Sequence, residues 1–557
     1  MRFSTLFLSF TVALCHVKLS KGSPESPQVD LGYARYIGLG NTTSGINSFF
    51  GIRYALPPTG EQRWRKPESV DSKPWPAQKP IIDATVPGLR CIAIVNSPWI
   101  SGSTAPNNTA SYESEDCLLL NVLVPSQPAS TRLPVLVNIH GGGYVAGVPV
   151  EGDAFVHQAQ GQIIFVAIQY RLGAFGFLAG DEIQASGVAN AGLLDQREAL
   201  NWVQRNIHYF GGDPDKVTIM SGSAGGGSVS MQMLLHGGRQ APPFRAAIPE
   251  YAWWSPMYNR TWVRKEYQRV LESNSCASLS CLHGLSAAAL NNAAWRAWKT
   301  ALNEAETVYG LFYYGPTIDN DAVMDLPARQ FKAGNFTKVP VLVDRDMFEG
   351  PYFTSVSLST HEQLFADLKA MWQAVPQSVI EKVVDLYPTS VYNGSLIKSA
   401  GWFKALTGSF DVSAPYVQRQ AIFGASVVDC PSTTIVQASM DAGQKAFKMV
   451  FEAGTQLHGA TASYLWSKDI SFDGTSTLGT TLFGGNATLA YALREYIAAF
   501  TINLNPNPAN LSTSVPYWPE FTNQGRQILH IQDNQTSVAY DFDSHEKCSV
   551  LGSLSTI

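Results

Sequence analysis

The sequence predicts an α/β protein in which a large, mostly parallel central sheet carries helices on both faces. Two observations lead there: apolar runs alternate with helix-like segments, and these runs are short and rich in β-forming residues. Hydrophobic residues make up 45% of the 557-residue chain against 15% charged residues, which indicates a large compact globule with an ample core. Strands are predicted at residues 135–139, 163–169, 217–220, 339–343 and 462–466, and helices include residues 196–206 and 361–375. Ligands of such sheets bind where the strands end, so catalytic residues should directly follow strands.

The organisation predicted for the chain is a secretory signal peptide over residues 1–22 and one domain over residues 23–557. Arg2 makes the start positive, and the apolar run at residues 6–14 is too short to span a bilayer. This shortness disfavours the alternative, an N-terminal membrane anchor. No Pro/Ser-rich linker, charge block or repeat divides the rest of the chain.

Several features of composition agree with secretion. Removal of Cys15 with the signal leaves six cysteines, an even number that suits an oxidising compartment. Asn-x-Ser/Thr sequons predict glycosylation at Asn41, Asn107, Asn259, Asn335, Asn393, Asn486, Asn510 and Asn534. A net charge of −5 argues against nucleic acid or an anionic membrane as partner. No Cys/His cluster has metal-ligand spacing, and we expect no metal, no cofactor and no integral membrane contact.

The region around Ser223 has the layout of a sharp strand-to-helix turn that carries a nucleophile. An apolar run at residues 217–220 leads into Ser221-Gly222-Ser223-Ala224-Gly225, and helix-compatible residues follow. The strained turn needs small neighbours, because any bulk there would strike the strand or the helix. The start of that helix would also direct backbone N–H groups at an anion.

Residues 190–214 make the pattern specific. The phrase N-x-G-L-x-D-Q-x-x-A-L-x-W-V-x-x-N-I-x-x-F-G-G-D-P resembles the segment that precedes the nucleophile serine in the type-B carboxylesterase/lipase family, which includes the fungal lipases and the cholinesterases. Further matches lie at residues 50–55, 115–118, 140–143, 170–176, 316–319 and 498–507. The resemblance implies an α/β-hydrolase fold with long excursions and hydrolysis of carboxylic esters.

The resemblance also implies roles for individual residues. Ser223 would be the nucleophile, and the N–H groups of Gly142, Gly143 and Ala224 would form an oxyanion hole. His140, within the same glycine motif, would be structural. Glu349, in a Glu-Gly pair after the predicted strand at residues 339–343, would be the acid of the triad. Asp344 and Asp346 lie nearer that strand and are the alternative acids.

Two cysteine pairs follow from the same resemblance. Cys91–Cys117 and Cys276–Cys281 match family disulfides. Cys430 and Cys548 remain, either as a third bond that ties down the C-terminal tail or as free buried thiols. The loop closed by Cys91 and Cys117 begins with apolar residues at 92–95 and 98–100. That loop is either a flap over the active site or a surface loop tucked onto the core.

The chain departs from the family pattern near the site. Ser221 replaces a glycine, and Tyr251, Trp253 and Trp254 stand where a small serine is common, which suggests an aromatic-lined pocket. The catalytic histidine is expected after the predicted strand at residues 462–466. The fungal-lipase phrase places Leu482 at that position, and residues 467–488 contain no histidine.

No other histidine has a motif that marks it as the base. His458 precedes the predicted strand at residues 462–466 and would therefore lie at the sheet edge away from the site. The remaining candidates lie at helix ends, in the C-terminal tail or outside any motif: His157, His208, His236, His283, His361, His530 and His545. We therefore expect no histidine within hydrogen-bond reach of Ser223. A base from elsewhere and lost coding sequence are the alternatives.

Two functional hypotheses follow. The first is a secreted ester hydrolase that acts on a small-molecule or lipid ester through a serine acyl-enzyme. The second is a catalytically impaired or non-hydrolytic homologue that keeps the fold for binding. Retention of Ser223, Glu349 and the glycines favours the first, whereas the missing histidine favours the second.

Overall fold

A computed structural model describes residues 26–72, 74, 78–93, 112–257, 260–388, 412–466, 486–508, 515–543 and 545–554. Its centre is a 13-stranded sheet, beside which a second sheet contains two strands. The strands are β1 Gln28–Asp30, β2 Arg35–Asn41, β3 Ile46–Arg53, β4 Ile81–Ala84, β5 Arg90–Cys91, β6 Glu113–Ser114, β7 Leu119–Pro125, β8 Leu133–Ile139, β9 Ile164–Ile168, β10 Gly212–Ser223, β11 Ala246–Ala252, β12 Val341–Asp346, β13 Ala446–Glu452, β14 Gln527–Gln532 and β15 Gln535–Tyr540.

The central sheet is parallel in the middle and antiparallel at its edges. Its order is β1-β2-β3-β7-β9-β8-β10-β11-β12-β13-β14-β15, with β4 paired to β2. All neighbours from β9 to β14 are parallel, whereas β14–β15 and the pairs from β1 to β9 along this path are antiparallel. The carboxyl ends of β10, β12 and β13 therefore lie at one edge.

Helices cover both faces of this sheet, as predicted. All residues of β8 are buried, and Val135 and Val137 belong to one core cluster while Leu136 belongs to the other. The α-helices are α1 Asp153–Gln158, α2 Gly173–Phe177, α3 Asp181–Ser186, α4 Ala191–Asn206, α5 Ala224–Leu234, α6 Arg260–Glu272, α7 Leu279–His283, α8 Ala287–Asn303, α9 Pro327–Lys332, α10 His361–Met371, α11 Gln377–Asp385, α12 Ala414–Gly424, α13 Cys430–Asp441, α14 Ala460–Leu465, α15 Ala487–Asn503 and α16 His545–Leu554. No helix within the described ranges has the length and apolarity to cross a membrane.

Most strand predictions are confirmed within a few residues, but the one at residues 462–466 is wrong. Those residues lie in α14 and the turn after it, and the strand in this part of the chain is β13. Two features of the sequence account for the wrong strand position. Lys448 interrupts the apolar run of β13, and the short apolar segment at 462–466 fits a strand or a buried helix equally well. Lys448 is tolerated because its ammonium group is buried against Asp541, at 2.9 Å, and Asp543, at 2.7 Å.

The three cysteine pairs form disulfides. Cys91–Cys117, Cys276–Cys281 and Cys430–Cys548 have Cα–Cα distances of 4.9, 5.5 and 5.1 Å. The third bond joins α13 to α16 and decides between the two alternatives left open for Cys430 and Cys548. Most of the loop that Cys91 and Cys117 close, residues 94–111, lies outside the described residues, as does Leu482.

Four of the predicted glycosylation sites can be placed, and all four are exposed: Asn41, Asn335, Asn486 and Asn534. Asn107, Asn259, Asn393 and Asn510 lie outside the described residues. An exposed asparagine is accessible to glycosylation, so the placed sites are compatible with the modification.

Removal of the disulfide with the longer loop should destabilise the protein more. The Cys430–Cys548 bond spans 118 residues and the Cys276–Cys281 bond spans 5. Because a cross-link removes loop-closure entropy from the unfolded chain, the serine pair C430S/C548S should lower the free energy of unfolding by about 4–5 kcal/mol and C276S/C281S by about 2 kcal/mol. Denaturant unfolding under non-reducing conditions measures both. Equal losses would contradict the loop-length argument.

Candidate active site

Ser223 lies on a strained turn between β10 and α5. Its backbone angles, φ 60° and ψ −134°, fall in a region that a non-glycine residue adopts only when its surroundings enforce it. The amide of Trp253, the residue after β11, donates to the Ser223 carbonyl oxygen at 3.0 Å and holds the turn from the neighbouring strand. The turn predicted around Ser223 is thus confirmed.

The space beside this turn admits only glycine at position 225. A methyl group added to Gly225 would collide with the carbonyl oxygen of Ile139 and with the side chain of Ser221. The start of α5 therefore packs directly against the end of β8. Ser221, which replaces the family's glycine, is itself buried and fits the turn.

His458 lies between Ser223 and Glu349, and the prediction that no histidine reaches Ser223 is therefore wrong. The Ser223 Oγ lies 2.8 Å from His458 Nε2, and His458 Nδ1 lies 2.5 Å from Glu349 Oε2. The side chains of His458 and Glu349 are almost wholly buried. One hydroxyl, one imidazole and one carboxylate thus form a continuous hydrogen-bonded chain.

His458 was not predicted from the sequence because the strand was placed at residues 462–466, after His458, instead of at β13, before it. Once the strand is placed at β13, His458 lies in the loop that follows it, at the same sheet edge as Ser223 and Glu349. A signal was available in the sequence, because residues 446–452 form an apolar run if Lys448 is accepted as a buried, paired charge.

The structure distinguishes Glu349 from the two alternative acids. Glu349 follows β12 and its Oε1 accepts the amide N–H of Asp346 at 2.7 Å. Asp344 and Asp346 both lie within β12. Asp344 accepts the amide N–H of Tyr251 at 3.0 Å, and the carboxylate of Asp346 faces the start of α14. Glu349 is the carboxylate that contacts His458.

Burial controls the protonation of His458. Removal of the ring from water lowers the pKa of His458 to about 4, and the negative charge of Asp346 acts against this shift. The imidazole is therefore neutral at pH 7. A neutral imidazole whose Nδ1 is bonded to a carboxylate keeps a lone pair on Nε2, which faces the Ser223 hydroxyl.

Two of the three aromatic residues singled out in the sequence, Tyr251 and Trp253, pack against His458, whereas Trp254 stacks on Phe331. The indole of Trp253 lies 5.6 Å from the His458 ring and 4.5 Å from the ring of Phe353, measured between centroids. Tyr251 and Phe353 approach the same imidazole edge-on at 5.2 and 5.0 Å. These rings exclude water from the buried side of the hydrogen-bonded chain.

The glycine segment after β8 lies directly against the turn. A methyl group at Gly141 would lie 3.2 Å from Ser223 Cβ, and Gly142 and Gly143 have positive φ angles of 111° and 66°. The His140 Nδ1 atom lies 2.9 Å from the Gly141 carbonyl oxygen, and the His140 ring stacks on Tyr170 at 4.5 Å between centroids. Convergence of the Gly142, Gly143 and Ala224 amides on one point stays a prediction.

Three other histidines are bonded to groups other than Ser223 and Glu349. His530 Nε2 lies 2.8 Å from Glu452 Oε2, His236 Nδ1 lies 3.0 Å from the Asp321 carbonyl oxygen, and His283 Nδ1 lies 3.0 Å from the carbonyl oxygen of Gly60. In the described part of the chain, no group of three or more His, Cys, Asp or Glu residues could hold a metal ion.

The sheet order, the strained serine turn and its histidine and glutamate partners define an α/β-hydrolase. Comparison with known proteins specifies the family. The model of the carboxylesterase family matches residues 25–550, and the chain belongs to this family. Secreted lipase 1 of Botryotinia fuckeliana (strain B05.10) is 31% identical over 90% of this chain and 90% of its own length. Lipase 1 of Geotrichum candidum is 29% identical over 87% of this chain and 88% of its own length.

Solved structures agree. Aspergillus niger EstA superposes with a TM-score of 0.79 at 27% sequence identity, and the match covers 95% of this chain and 98% of that one. A PNB esterase superposes with a TM-score of 0.72 at 25% identity, over 94% and 99% of the two chains. Family and fold together make this protein a carboxylic ester hydrolase.

Substitution of Gly225 by alanine should destabilise the protein. Because the added methyl group has no free space, β8 or the turn must shift, at a cost of about 1–3 kcal/mol. Thermal unfolding measures the effect. G284A is the matched control, since Gly284 has an ordinary φ of −74° and its nearest atom lies 3.4 Å from the added methyl. Equal midpoints for G225A and G284A would contradict the packing argument.

Proposed function

We propose that this protein hydrolyses carboxylic esters through a serine acyl-enzyme, with Ser223 as nucleophile, His458 as general base and Glu349 as the orienting acid. The observation that carries the proposal is the unbroken chain from Ser223 Oγ to His458 Nε2, at 2.8 Å, and from His458 Nδ1 to Glu349 Oε2, at 2.5 Å. A serine hydroxyl becomes a useful nucleophile when a positioned base takes its proton, and this geometry provides that base.

Acylation would begin when Ser223 Oγ attacks the ester carbonyl carbon. His458 Nε2 takes the hydroxyl proton as the new C–O bond forms, and Glu349 stabilises the imidazolium that results. The tetrahedral oxyanion would be held by the amides of Gly142, Gly143 and Ala224. Return of the proton from His458 to the leaving alkoxide then releases the alcohol and leaves Ser223 acylated.

Deacylation would use the same groups with water as nucleophile. His458 takes a proton from the water that attacks the acyl carbon and then returns it to the Ser223 oxygen, which leaves as a hydroxyl group while the carboxylic acid is released. Strain at Ser223 supports both steps, because it keeps the hydroxyl projecting from the turn in a fixed direction.

The second hypothesis, a catalytically impaired homologue, is no longer supported. It rested on the absence of a histidine near Ser223, and His458 occupies that position. The departures at Ser221, Tyr251 and Trp253 then reshape the surroundings of a complete triad rather than accompany its loss.

We further propose that the protein is secreted, is glycosylated and acts on a small-molecule or lipid ester. The charged N-terminus with its apolar run, three disulfides and four exposed sequons support secretion. The names of the relatives, which include secreted lipases, support a lipid ester. Hydrolysis of short and long p-nitrophenyl esters by the purified protein tests the acyl-chain preference.

Loss of any one triad side chain should nearly abolish turnover. S223A and H458A should lower kcat about 10⁴- to 10⁶-fold, because either change removes the activated nucleophile, and E349Q should lower kcat by a smaller factor. Rates with p-nitrophenyl esters and labelling by a fluorophosphonate probe measure these effects. S223A should not be labelled.

His530 offers a matched control for the base. Its Nε2 is also bonded to a glutamate, Glu452. This pair connects β14 to β13 and includes neither Ser223 nor Glu349. H530N should therefore keep the wild-type kcat. A wild-type rate for H458A, or equal losses for H458A and H530N, would refute the assignment of His458.

Activity should persist into acidic solution. The base must be neutral, and burial lowers the pKa of His458 to about 4, so kcat/KM should decline only as the pH falls towards that value. The pH profile of kcat/KM for a p-nitrophenyl ester measures this pKa. An acid limb at or above the ordinary histidine value of about 6.5 would contradict the effect of burial.

A further inference from the structure

Asp346 is a buried acid whose carboxylate accepts hydrogen bonds from the residues that directly follow His458. It is fully buried at the end of β12, and its carboxylate accepts four hydrogen bonds. Oδ2 accepts the amide N–H groups of Gly459, at 2.7 Å, and Ala460, at 3.1 Å. Oδ1 accepts the amide N–H of Thr461, at 3.0 Å, and its hydroxyl, at 2.7 Å.

The backbone of Asp346 holds the other partner of the imidazole. Its amide donates to Glu349 Oε1 at 2.7 Å, while Glu349 Oε2 faces His458 Nδ1. One residue thus connects the end of β12, the acid and the three residues that directly follow the base. His458 is confined from both sides by groups that Asp346 fixes.

We propose that Asp346 is a positioning residue for ester hydrolysis, which holds His458 between Ser223 and Glu349 through the backbone of Gly459, Ala460 and Thr461. This inference rests on the proposed function, since it assigns to Asp346 the alignment of the base. Asp346 touches neither the serine nor the imidazole through its carboxylate, so its effect is transmitted by the chain.

The hydrogen-bond partners of Asp346 favour its ionised form. All four groups that face the carboxylate are donors, so a carboxylate satisfies each of them. An asparagine has the same shape, but its NH₂ group would oppose two amide N–H groups in place of Oδ2, or the amide N–H of Thr461 in place of Oδ1. Substitution D346N therefore breaks at least one contact without creating a cavity.

The charge of Asp346 also acts on the base. Its negative charge raises the pKa of His458 against the effect of burial. Other charged or titratable groups near this point are Glu349 beyond β12, Asp344 on the same strand, Glu250 on β11 and Arg345, whose Nη1 donates to the Asp346 carbonyl oxygen at 3.0 Å. Because burial and the charge of Glu349 raise the pKa of Asp346 to about 7, Asp346 is itself protonated at the acid limb of His458, and that limb does not report its loss.

The test compares three variants of the full-length protein by steady-state kinetics with a p-nitrophenyl ester. D346N should lower kcat about 10- to 100-fold with KM within about twofold, because binding is retained and alignment is lost. T461V removes only the hydroxyl donor and should lower kcat severalfold with KM unchanged. D533N is the control. Exposed Asp533 accepts the amide N–H of Gly454 at 2.7 Å, and Gly454 lies in the loop between β13 and α14 that also contains His458.

The possible outcomes separate a positioning role from a structural one. A wild-type kcat for D346N, or a loss equal to that of D533N, would overturn the inference. If D346N does not fold, T461V decides: a lower kcat with unchanged KM supports the inference, and a wild-type kcat overturns it.

A spectroscopic readout separates this inference from the proposed function. The proton between His458 Nδ1 and Glu349 should give a downfield ¹H NMR signal in the wild type that is absent in H458A. D346N, or T461V if D346N does not fold, should shift or broaden this signal. If the wild type hydrolyses no ester, the proposed function fails, but a perturbed signal still supports the positioning role. An unperturbed signal overturns that role.

Discussion

Parallel pairing of β10, β11, β12 and β13 is the constraint on which the site depends. Residues in register across these strands end at one edge, where Gly222 is opposite Glu250, Glu250 is opposite Asp344, and Asp346 is opposite Phe451. Ser223 is the last residue of β10, and Glu349 and His458 follow the ends of β12 and β13. A slip of one residue in any pairing would turn every side chain of that strand to the opposite face and separate the three groups.

Buried basic residues on β12 and β13 form ion pairs with the C-terminal segment of the chain. Lys448 on β13 and Arg345 on β12 both pair with Asp543, which lies between β15 and α16. Since a buried charge is costly unless it is paired and hydrogen-bonded, these contacts hold the C-terminal segment against the strands that carry the acid and the base. The Cys430–Cys548 disulfide fixes α16 to α13 in the same region.

The surroundings of the triad combine rigidity with exclusion of water. His458 is enclosed by the rings of Tyr251, Trp253 and Phe353 on one side and held by the backbone contacts of Asp346 on the other. A desolvated imidazole has a lowered pKa and remains an acceptor, so the same burial that fixes the ring keeps it neutral. Packing and proton affinity are therefore two consequences of one arrangement.

The sequence by itself determined the parts of this protein that are encoded locally. Small residues around Ser223 specified its turn, the Glu-Gly pair at Glu349 follows its strand closely, and the cysteine pairs of known family spacing formed as expected. Only the tertiary structure identified His458, because the nature of the strand before it depends on distant partners. Lys448 reads as a break in an apolar run until Asp541 and Asp543, far along the chain, neutralise it. The arrangement of the base was decided by long-range pairing of buried charges, which local pattern does not contain.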